Sequence, residues 1–323
     1  MANSETVLSI KNLSISYSIR EGYVKSIENI SLDFPKGKNT AIIGESGCGK
    51  STIANSIMGI LAPNSFVTKE SQIIFNDKNI LKASKEEQRL FRWQKASMVF
   101  QAAQNALNPT VRIGEQLSDS IIDHGRISSA KIKEKLEELL SLVKLDSERV
   151  LISYPHELSG GQRQRVIIAM SMVLDPELII LDEPTTALDM ITQTYIFDLL
   201  LEIHKKRNLS MILITHDLTA AVKLADIIIV MYGGKIMESG NTDDLFKNPQ
   251  HPYTEGLIGA MPFIDGDIVK KKSIQGSPPD LLSRPSGCIF HPRCYLAEDI
   301  CKQEEPILKN SGNRNIACHF RGD

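Results

Sequence analysis

Residues 44–51 place three glycines ahead of a lysine and a serine at a fixed spacing. They match the pattern G-x-x-x-x-G-K-[ST] in full, as Gly44-Glu45-Ser46-Gly47-Cys48-Gly49-Lys50-Ser51. Glycines let backbone N–H groups curl around phosphate oxygens, and the Lys50 ammonium adds a positive charge. The Ser51 hydroxyl can ligate Mg²⁺. We therefore expect this phosphate loop, together with the adjoining Thr52, to bind the β- and γ-phosphates of a nucleotide with Mg²⁺.

Two carboxylates, Asp182 and Glu183, follow the apolar run of residues 178–181. An unbroken apolar run of this length is typical of a strand that is buried on both faces of a parallel sheet. A carboxylate at the tip of such a strand can hold the hydration shell of Mg²⁺, and a second carboxylate beside it can polarise an attacking water. We assign Asp182 to the metal and Glu183 to the water.

The run Leu158-Ser159-Gly160-Gly161-Gln162, called the signature run below, opens a predicted helix at residues 162–174. Asp175-Pro176 ends that helix. Unpaired N–H groups and the positive end of the helix dipole then face outward at residues 159–161, an arrangement that suits an anion. Because the chain already has a phosphate loop, the signature run predicts a second nucleotide half-site.

Apolar periodicity indicates the elements that must position these residues. Alternation over residues 7–18 predicts a β-rich N-terminal edge, and residues 40–43 and 51–61 predict a buried strand and a helix around the phosphate loop. Helical spacing over residues 132–143 and 89–93 predicts a helical insertion of roughly residues 88–172.

The parallel sheet is expected to resume after this insertion. Residues 178–181, 211–215 and 227–231 form three apolar runs. Gly233-Gly234 predicts a tight hairpin turn into residues 235–239. The pattern as a whole predicts an α/β fold.

With these motifs in this order, the chain resembles the ATP-binding subunit of an ABC transporter. The resemblance implies ATP as the nucleotide, with Lys50, Glu183 and His216 in catalytic roles. It implies that Mg²⁺ is held by Ser51, Gln101 and Asp182. It also implies that Tyr17 stacks on adenine and that His216 contacts the γ-phosphate. Gln101 would sense Mg²⁺ and the membrane partner, and Ala187-Leu188-Asp189 would cross to the other subunit.

In that family two subunits associate head to tail. The resemblance implies that Ser159, Gly160, Gly161 and Gln162 of one subunit cap the nucleotide held by the phosphate loop of the other. A single copy of the chain would then lack a complete catalytic centre. The implied fold is a P-loop NTPase ABC-ATPase core, with a mixed sheet, an antiparallel β edge and a helical subdomain. The expected domains are residues 1–240 and a small cysteine-containing C-terminal extension, residues 241–323.

The C-terminal extension narrows the resemblance to oligopeptide and dipeptide permease ATPases. The motifs that carry this similarity are Tyr154-Pro155-His156-Glu157, His251-Pro252-Tyr253-Thr254-Glu255-Gly256-Leu257, Gly276-Ser277-Pro278-Pro279 and Gly287-Cys288-Ile289-Phe290-His291-Pro292-Arg293-Cys294. The resemblance implies import of di- or oligopeptides, and close relatives also carry nickel chelates or oligosaccharides. The implied partners are a homologous ATPase subunit in a heterodimer or homodimer, two transmembrane permease subunits that contact residues 101–109, and, indirectly, an extracytoplasmic solute-binding protein.

Four of the five cysteines, Cys288, Cys294, Cys301 and Cys318, fall in the C-terminal extension. In a reducing compartment, clustered thiols indicate a metal rather than disulfides. Four thiolates suit a [4Fe–4S] cluster, which the resemblance also implies. Zinc and unliganded thiols stay open, although the spacing lacks the C-x-x-C knuckle of structural zinc. The fifth cysteine, Cys48, reads as a tolerated small residue, with an oxidisable brake on ATP binding as the alternative.

Length and composition set limits on this interpretation. The chain has 323 residues and a net charge of −2, and it has no run of about eighteen apolar residues. We expect no membrane span and no secretory signal, so that partner subunits hold the chain at the cytoplasmic face of the cell membrane. The run Lys270-Lys271-Lys272 predicts a solvated linker rather than a contact with nucleic acid.

Two other classes of protein would account for fewer of these sequence motifs. A soluble ABC ATPase that acts on DNA or ribosomes would usually carry a long coiled-coil insertion, two fused ATPase halves or a basic face, and the sequence has none of these. A small-molecule kinase with a phosphate loop would leave the signature run and His216 without a role.

Overall fold

The structure is a computed structural model that describes residues 6–123, 128–186, 188–261 and 274–322. Ala187 and the run Lys270-Lys271-Lys272, both discussed above, lie outside the described residues. The strands in chain order are β1 (Thr6–Ile19), β2 (Gly22–Pro35), β3 (Asn39–Ile43), β4 (Ser65–Val67), β5 (Gln72–Phe75), β6 (Lys78–Asn79), β7 (Ala96–Val99), β8 (Leu178–Asp182), β9 (Ser210–Thr215), β10 (Ile227–Tyr232), β11 (Lys235–Asn241), β12 (Lys309–Ser311) and β13 (Arg314–Ile316). The α-helices are α1 (Lys50–Met58), α2 (Lys85–Gln94), α3 (Ile113–Ile122), α4 (Ser129–Leu142), α5 (Ser147–Ile152), α6 (Gly160–Ser171), α7 (Met190–Arg207), α8 (Leu218–Leu224), α9 (Thr242–Lys247), α10 (Pro252–Gly259) and α11 (Asp299–Gln303).

The chain divides into two compact units. Unit 1 contains Met1–Phe34, Lys38–Leu81 and Ile214–Asp323, and unit 2 contains Pro35–Gly37 and Lys82–Leu213. Unit 1 therefore holds the phosphate loop and the cysteine-rich extension, whereas unit 2 holds the acidic strand end and the signature run. The domains expected from the sequence, residues 1–240 and 241–323, stay a prediction.

An antiparallel sheet in unit 1 has the strand order β2-β1-β5-β6, with β4 also paired to β1. Along β1 the side chains of Leu8, Ile10, Leu13 and Ile15 are buried. Successive side chains of a strand point to opposite faces, so Leu8 and Ile10 share one face, as do Leu13 and Ile15. The alternation changes phase between the two pairs, at Asn12, whose φ is 50°. The predicted β-rich N-terminal edge is confirmed.

The remaining strands of unit 1 follow the order β12-β13-β11-β10-β3. Strand β3 is buried at all five positions and runs parallel to β10, which confirms the predicted strand ahead of the phosphate loop. Strands β10 and β11 form a hairpin in which Tyr232 faces Lys235. Gly233 and Gly234 join them with φ values of 54° and 83°, and a two-residue type I′ turn needs positive φ at both positions.

Helix α1 follows the phosphate loop and ends at Met58, three residues before the expected end at residue 61. The N–H of Gly59 donates to the carbonyls of Asn55 and Ser56 and closes the helix there. The sequence pattern alone did not distinguish this closure from one more helical turn.

Unit 2 combines helices α2 to α7 with strands β7 and β8, which run parallel with Met98 opposite Ile180. Helix α4 buries Leu136, Leu139 and Leu140, as its helical spacing predicted. Strand β7 lies within the stretch that was expected to be helical. Four residues are too few for apolar periodicity to separate a strand from a helical turn.

The buried carboxylate of Glu238 ties three elements of unit 1 together. Its side chain is fully buried in β11. The N–H of Gln250 donates to it at 3.0 Å and the N–H of His251 at 2.9 Å. The Arg314 guanidinium of β13 lies 3.7 Å away. The carboxylate thereby satisfies backbone donors at the start of α10 that would otherwise be buried without a partner.

The N-cap residue of helix α10, His251, is a neutral histidine. Burial lowers the pKa of His251 to about 3, so the ring stays uncharged near neutral pH. Its Nδ1 can therefore accept a hydrogen bond from the N–H of Tyr253 at 3.0 Å. This contact caps α10 and fixes Tyr253 at its start.

We expect Glu238→Gln to lower the free energy of unfolding by about 1–3 kcal/mol, because an amide NH₂ would then face backbone donors that need an acceptor. Urea denaturation of the purified chain measures the effect. Asp243→Asn, which alters an exposed carboxylate of α9 with only a distant lysine partner, is the matched control and should stay within about 0.5 kcal/mol. Equal midpoints for the Glu238 variant and the wild type would contradict this account.

Candidate functional site

The phosphate loop connects β3 to α1 within unit 1, and Lys50 is folded into it. The Lys50 side chain is buried, and its Nζ donates to the carbonyl oxygens of Gly44 at 2.7 Å and Glu45 at 3.0 Å. The loop thus holds its own cation at the place where the sequence pattern expects phosphate oxygens.

The two hydroxyl residues after Lys50 lie in different surroundings. Ser51 is exposed at the first turn of α1, as a metal ligand at this position must be. Thr52 is half-buried, and its Oγ1 shares a hydrogen bond of 2.9 Å with Ser26 Oγ of β2. Thr52 therefore attaches α1 to the N-terminal sheet, and its contact with nucleotide stays a prediction.

Cys48 packs inside the phosphate loop. Its side chain is buried, and burial raises the pKa of the thiol against the opposing effect of the Lys50 charge. A thiol with a raised pKa stays protonated near neutral pH and reacts slowly with oxidants. The structure therefore favours Cys48 as a small packing residue over an oxidisable brake.

Two residues of the C-terminal extension contact the phosphate loop within unit 1. The N–H of Glu45 donates to Tyr253 Oη at 2.9 Å, and its carboxylate pairs with Arg293. In the sequence, the motifs around Tyr253 and Arg293 indicate a family resemblance but no contact with the phosphate loop. A contact over 248 positions of sequence leaves no signal in local patterns.

Tyr17 and His216 also belong to unit 1. Tyr17 is half-buried in β1, opposite Ser65 of β4. His216 is exposed and directly follows β9. Their contacts with adenine and the γ-phosphate stay predictions.

The acidic strand end lies in unit 2, where β8 ends in Asp182. Asp182 is buried, and Glu183 follows with a φ of 47°, outside the strand. The Glu183 carboxylate accepts a hydrogen bond from Gln101 Nε2 at 2.9 Å and another from Thr186 Oγ1 at 3.1 Å. The structure therefore brings Gln101 and Glu183 together, although 82 positions separate them in sequence.

The signature run caps helix α6. Ser159 Oγ accepts from the N–H of Gln162 at 3.3 Å, and Gln162 Oε1 accepts from the N–H of Ser159 at 2.9 Å. This reciprocal capping box starts the helix at Gly160, two residues earlier than expected. Ser159 is exposed, so the start of α6 is accessible to a ligand or a partner.

Gly161 packs against the start of α7 within unit 2. A Cβ at this position would lie 2.7 Å from Thr192 Cγ2. Asp189 fixes Thr192 by accepting from its N–H at 2.9 Å and from its Oγ1 at 2.7 Å. These hydrogen bonds lower the pKa of Asp189. Gly161 of the signature run thus lies against Thr192, which is fixed by Asp189, the N-cap residue of α7.

The four cysteines of the extension line one small cavity in unit 1, together with residues that include His251 and Phe290. All four are free thiols, and three of them are buried. Burial raises the pKa of Cys288 to about 11, and the other three thiols add to the rise. Within the described ranges, no three His, Cys, Asp or Glu side chains are arranged to hold a metal ion. The predicted metal site is therefore not confirmed.

Comparisons with known proteins agree with this geometry. The family model described as ABC transporter matches residues 27–186, and the one described as oligopeptide/dipeptide transporter, C-terminal region, matches residues 237–301. The chain is 44% identical to the dipeptide transport ATP-binding protein DppD of Caldanaerobacter subterraneus subsp. tengcongensis, over 97% of each chain. It is 39% identical to the oligopeptide transport ATP-binding protein OppD of Escherichia coli, over 98% of this chain and 93% of the relative.

Solved structures show the same fold. The ATP-binding cassette MJ0796, determined as a dimer in a post-hydrolysis state with ADP and Pi, is 28% identical with a TM-score of 0.64, and the match covers 73% of this chain and 98% of that one. CbiO1 from Clostridium perfringens, part of the ABC transporter complex cbiONQ, is 28% identical with a TM-score of 0.66, over 76% and 92% of the two chains.

Fold and site together define an ATP-hydrolysing P-loop cassette with a mixed sheet and packed helices. The chain belongs to the ABC transporter ATP-binding family, within the group of dipeptide and oligopeptide transport ATP-binding proteins. In the part of the chain that the structure describes, no helix has both the length and the apolar character needed to cross a membrane.

We expect Gly161→Ala to destabilise the chain by about 1–2 kcal/mol, because the new methyl group would push Thr192 away from Asp189 and the overpacking outweighs the better helix propensity of alanine. Gly160→Ala is the matched control, since a Cβ there would meet its neighbours only at 3.4 Å and beyond. That variant should be as stable as the wild type or slightly more stable in urea denaturation. An unchanged midpoint for Gly161→Ala would show that the contact can relax.

Proposed function

We propose that this chain is the ATP-hydrolysing subunit of an importer for di- or oligopeptides. The main support is the identity of 39% to 44% with dipeptide and oligopeptide transport ATP-binding proteins over nearly the whole chain. This similarity includes the C-terminal region that characterises the oligopeptide/dipeptide group. ATP hydrolysis by the chain would drive solute movement through separate membrane subunits.

The working assembly would contain two ATPase subunits arranged head to tail. The exposed start of α6 supports this arrangement, because Ser159 and the N–H groups after it can meet the phosphate of a partner's nucleotide. The second ATPase is a homologous subunit or a second copy of this chain. Two transmembrane permease subunits would bind residues 101–109 and hold the chain at the cytoplasmic face of the membrane. An extracytoplasmic solute-binding protein would deliver the peptide.

Catalysis would combine positioning with electrostatic stabilisation. Lys50 would leave its loop carbonyls for the γ-phosphate, and Ser51, Gln101 and Asp182 would hold Mg²⁺, which neutralises phosphate charge when bound. Tyr17 would stack on adenine, His216 would contact the γ-phosphate, and Asp189 would reach the partner subunit.

The contact between Gln101 and Glu183 suggests how the attacking water is oriented. Gln101 donates to Glu183 through Nε2, and its amide oxygen is the atom that would ligate Mg²⁺. Glu183 would accept the proton of the water while the amide fixes the position of its carboxylate.

Peptide uptake by the reconstituted transporter tests this function. The chain, a homologous ATPase subunit and the two permease subunits would be placed in vesicles, with ATP and the solute-binding protein supplied on opposite sides. We expect ATP-dependent uptake of a labelled dipeptide.

Glu183→Gln should bind ATP normally but lower hydrolysis by about two to four orders of magnitude, the range expected for a positioned general base. Uptake of nickel chelates or oligosaccharides alone would reassign the solute, and near-normal hydrolysis by the variant would reassign Glu183.

We further propose that Cys288, Cys294, Cys301 and Cys318 hold a [4Fe–4S] cluster. A single tetrahedral zinc needs four sulfurs about 2.3 Å from one point, whereas a cluster distributes its four thiolates over separate irons. The proposal is supported by the four free thiols around one cavity, which match the number of thiolates that a cluster takes. The cluster would stabilise a segment with little regular secondary structure.

Anaerobic purification tests the cluster. We expect a brown protein with about four iron and four sulfide per chain, and Cys301→Ser should lose most of both. Cys48→Ser is the matched control, because Cys48 lies in the phosphate loop, and it should keep the full iron content. A colourless protein with one zinc per chain would contradict the proposal.

A further inference from the structure

Glu45 is the residue at which the C-terminal extension meets the phosphate loop. Its N–H donates to Tyr253 Oη at 2.9 Å. Its carboxylate accepts two hydrogen bonds from one guanidinium, at 2.7 Å from Arg293 Nη1 and 3.0 Å from Nη2. A bidentate pair of this kind fixes both distance and orientation. Both the backbone and the side chain of this loop residue are therefore held from outside the loop.

The guanidinium of Arg293 is itself held on every side. Its side chain is only 6% exposed. Nε donates to the carbonyl of Gln275 at 2.9 Å, and Nη1 donates to Tyr232 Oη at 3.2 Å. Exposed ion pairs contribute little because their side chains move and water screens them. Arg293 is buried and bonded through Nε and Nη1 to other groups, whereas the Glu45 side chain is 25% exposed, so the pair is held mainly from the arginine side.

Arg293 is also part of the cysteine-rich segment. It ends the short turn His291–Arg293 and directly precedes Cys294, whose N–H donates to the carbonyl of His291 at 3.2 Å. Phe290, at the start of the same turn, lines the cavity of the four cysteines. Its ring lies 5.1 Å from that of Tyr232 and 5.2 Å from that of Tyr253. The cysteine cavity and the residues that bind Glu45 are thus neighbouring parts of one packed cluster.

We propose that the cysteine-rich segment braces the phosphate loop through Arg293 and Tyr253, so that the affinity for ATP depends on the integrity of that segment. Arg293 and Tyr253 are positioning residues: they act on the nucleotide through Glu45. The inference deepens the ATP-binding function of the phosphate loop and rests on it. It gives the motif His291-Pro292-Arg293-Cys294 a role beyond that of a cysteine ligand.

Charge gives the brace a distinctive signature. The phosphate loop must attract a strongly negative triphosphate, yet Glu45 adds a carboxylate within the loop itself. Arg293 neutralises this carboxylate by direct pairing. Without the arginine, Glu45 would repel the phosphates as well as lose its fixed position. Removing both charges together should therefore do less harm than removing the arginine alone.

A double-mutant cycle on the purified full-length chain tests the brace. The readout is equilibrium binding of a non-hydrolysable ATP analogue with Mg²⁺. We expect Arg293→Gln to weaken binding by about tenfold, the lower end of the loss seen when a group that orients a metal ligand is removed. Arg293→Lys should fall between that variant and the wild type, because it keeps the charge but not the bidentate geometry. Glu45→Gln combined with Arg293→Gln should bind more tightly than Arg293→Gln alone.

Arg207→Gln is the matched control. Arg207 belongs to unit 2 and also pairs with carboxylates through both terminal nitrogens, Nη1 with Asp175 at 2.5 Å and Nη2 with Glu138 at 2.6 Å. This variant should lower the denaturation midpoint but change nucleotide affinity by less than about twofold. If Arg293→Gln folds normally and binds with wild-type affinity, or if the double variant binds no more tightly than Arg293→Gln, the brace is overturned.

The link to the cysteines has its own test. Cys294→Ser should weaken nucleotide binding by about threefold or more, and it should cause no further loss in the Arg293→Gln background, because both changes act along one route. Equal losses in the two backgrounds, or no loss in either, would overturn the link. A wild-type chain that binds no nucleotide would instead remove the ATP-binding function and the brace with it.

Discussion

The capture of a triphosphate by backbone N–H groups and one ammonium is the interaction on which the rest of this structure depends. Such a loop binds phosphate tightly only if its curvature is fixed before the ligand arrives, because the cost of ordering the loop would otherwise reduce the free energy of binding. Strand β3 and helix α1 fix its two ends, and Lys50 occupies its interior by bonding to the loop carbonyls. The contacts of Glu45 fix its outer side.

The helix start at the signature run is also fixed before a ligand binds, but it is left exposed to solvent. The capping box of Ser159 and Gln162 satisfies part of the helix start internally, and Gly161 is held against Thr192. The exposed side of Ser159 still points to solvent with the positive end of a helix dipole behind it. The proposed head-to-tail pair of subunits would use a helix start that is fixed and exposed in this way.

Unit 1 also shows how a weakly structured extension can be held in place. Between α10 and β13, the described residues form little regular structure apart from short turns, α11 and β12. Buried contacts do the work instead: the Glu238 carboxylate at the start of α10, the rings of Tyr232, Tyr253 and Phe290, and the cavity of the four cysteines. These contacts join residues that are not neighbours in sequence; even the contact of Glu238 with His251 spans 13 positions. For this reason the sequence of the extension contains recognisable motifs but does not predict its helices and strands.

The sequence by itself determined the phosphate loop, the buried strands β3 and β8 and the hairpin turn at Gly233-Gly234, because each of these follows from neighbouring residues whose spacing has one physical meaning. The family followed from the resemblance that these motifs carry in their order. It did not determine β7, which is too short to show a period, or the end of α1 at Met58. Only the tertiary structure placed Gln101 on Glu183, Gly161 against Thr192 and Arg293 on Glu45. Those pairings depend on how distant segments pack, and no local pattern of hydrophobicity or spacing encodes which buried charge will meet which.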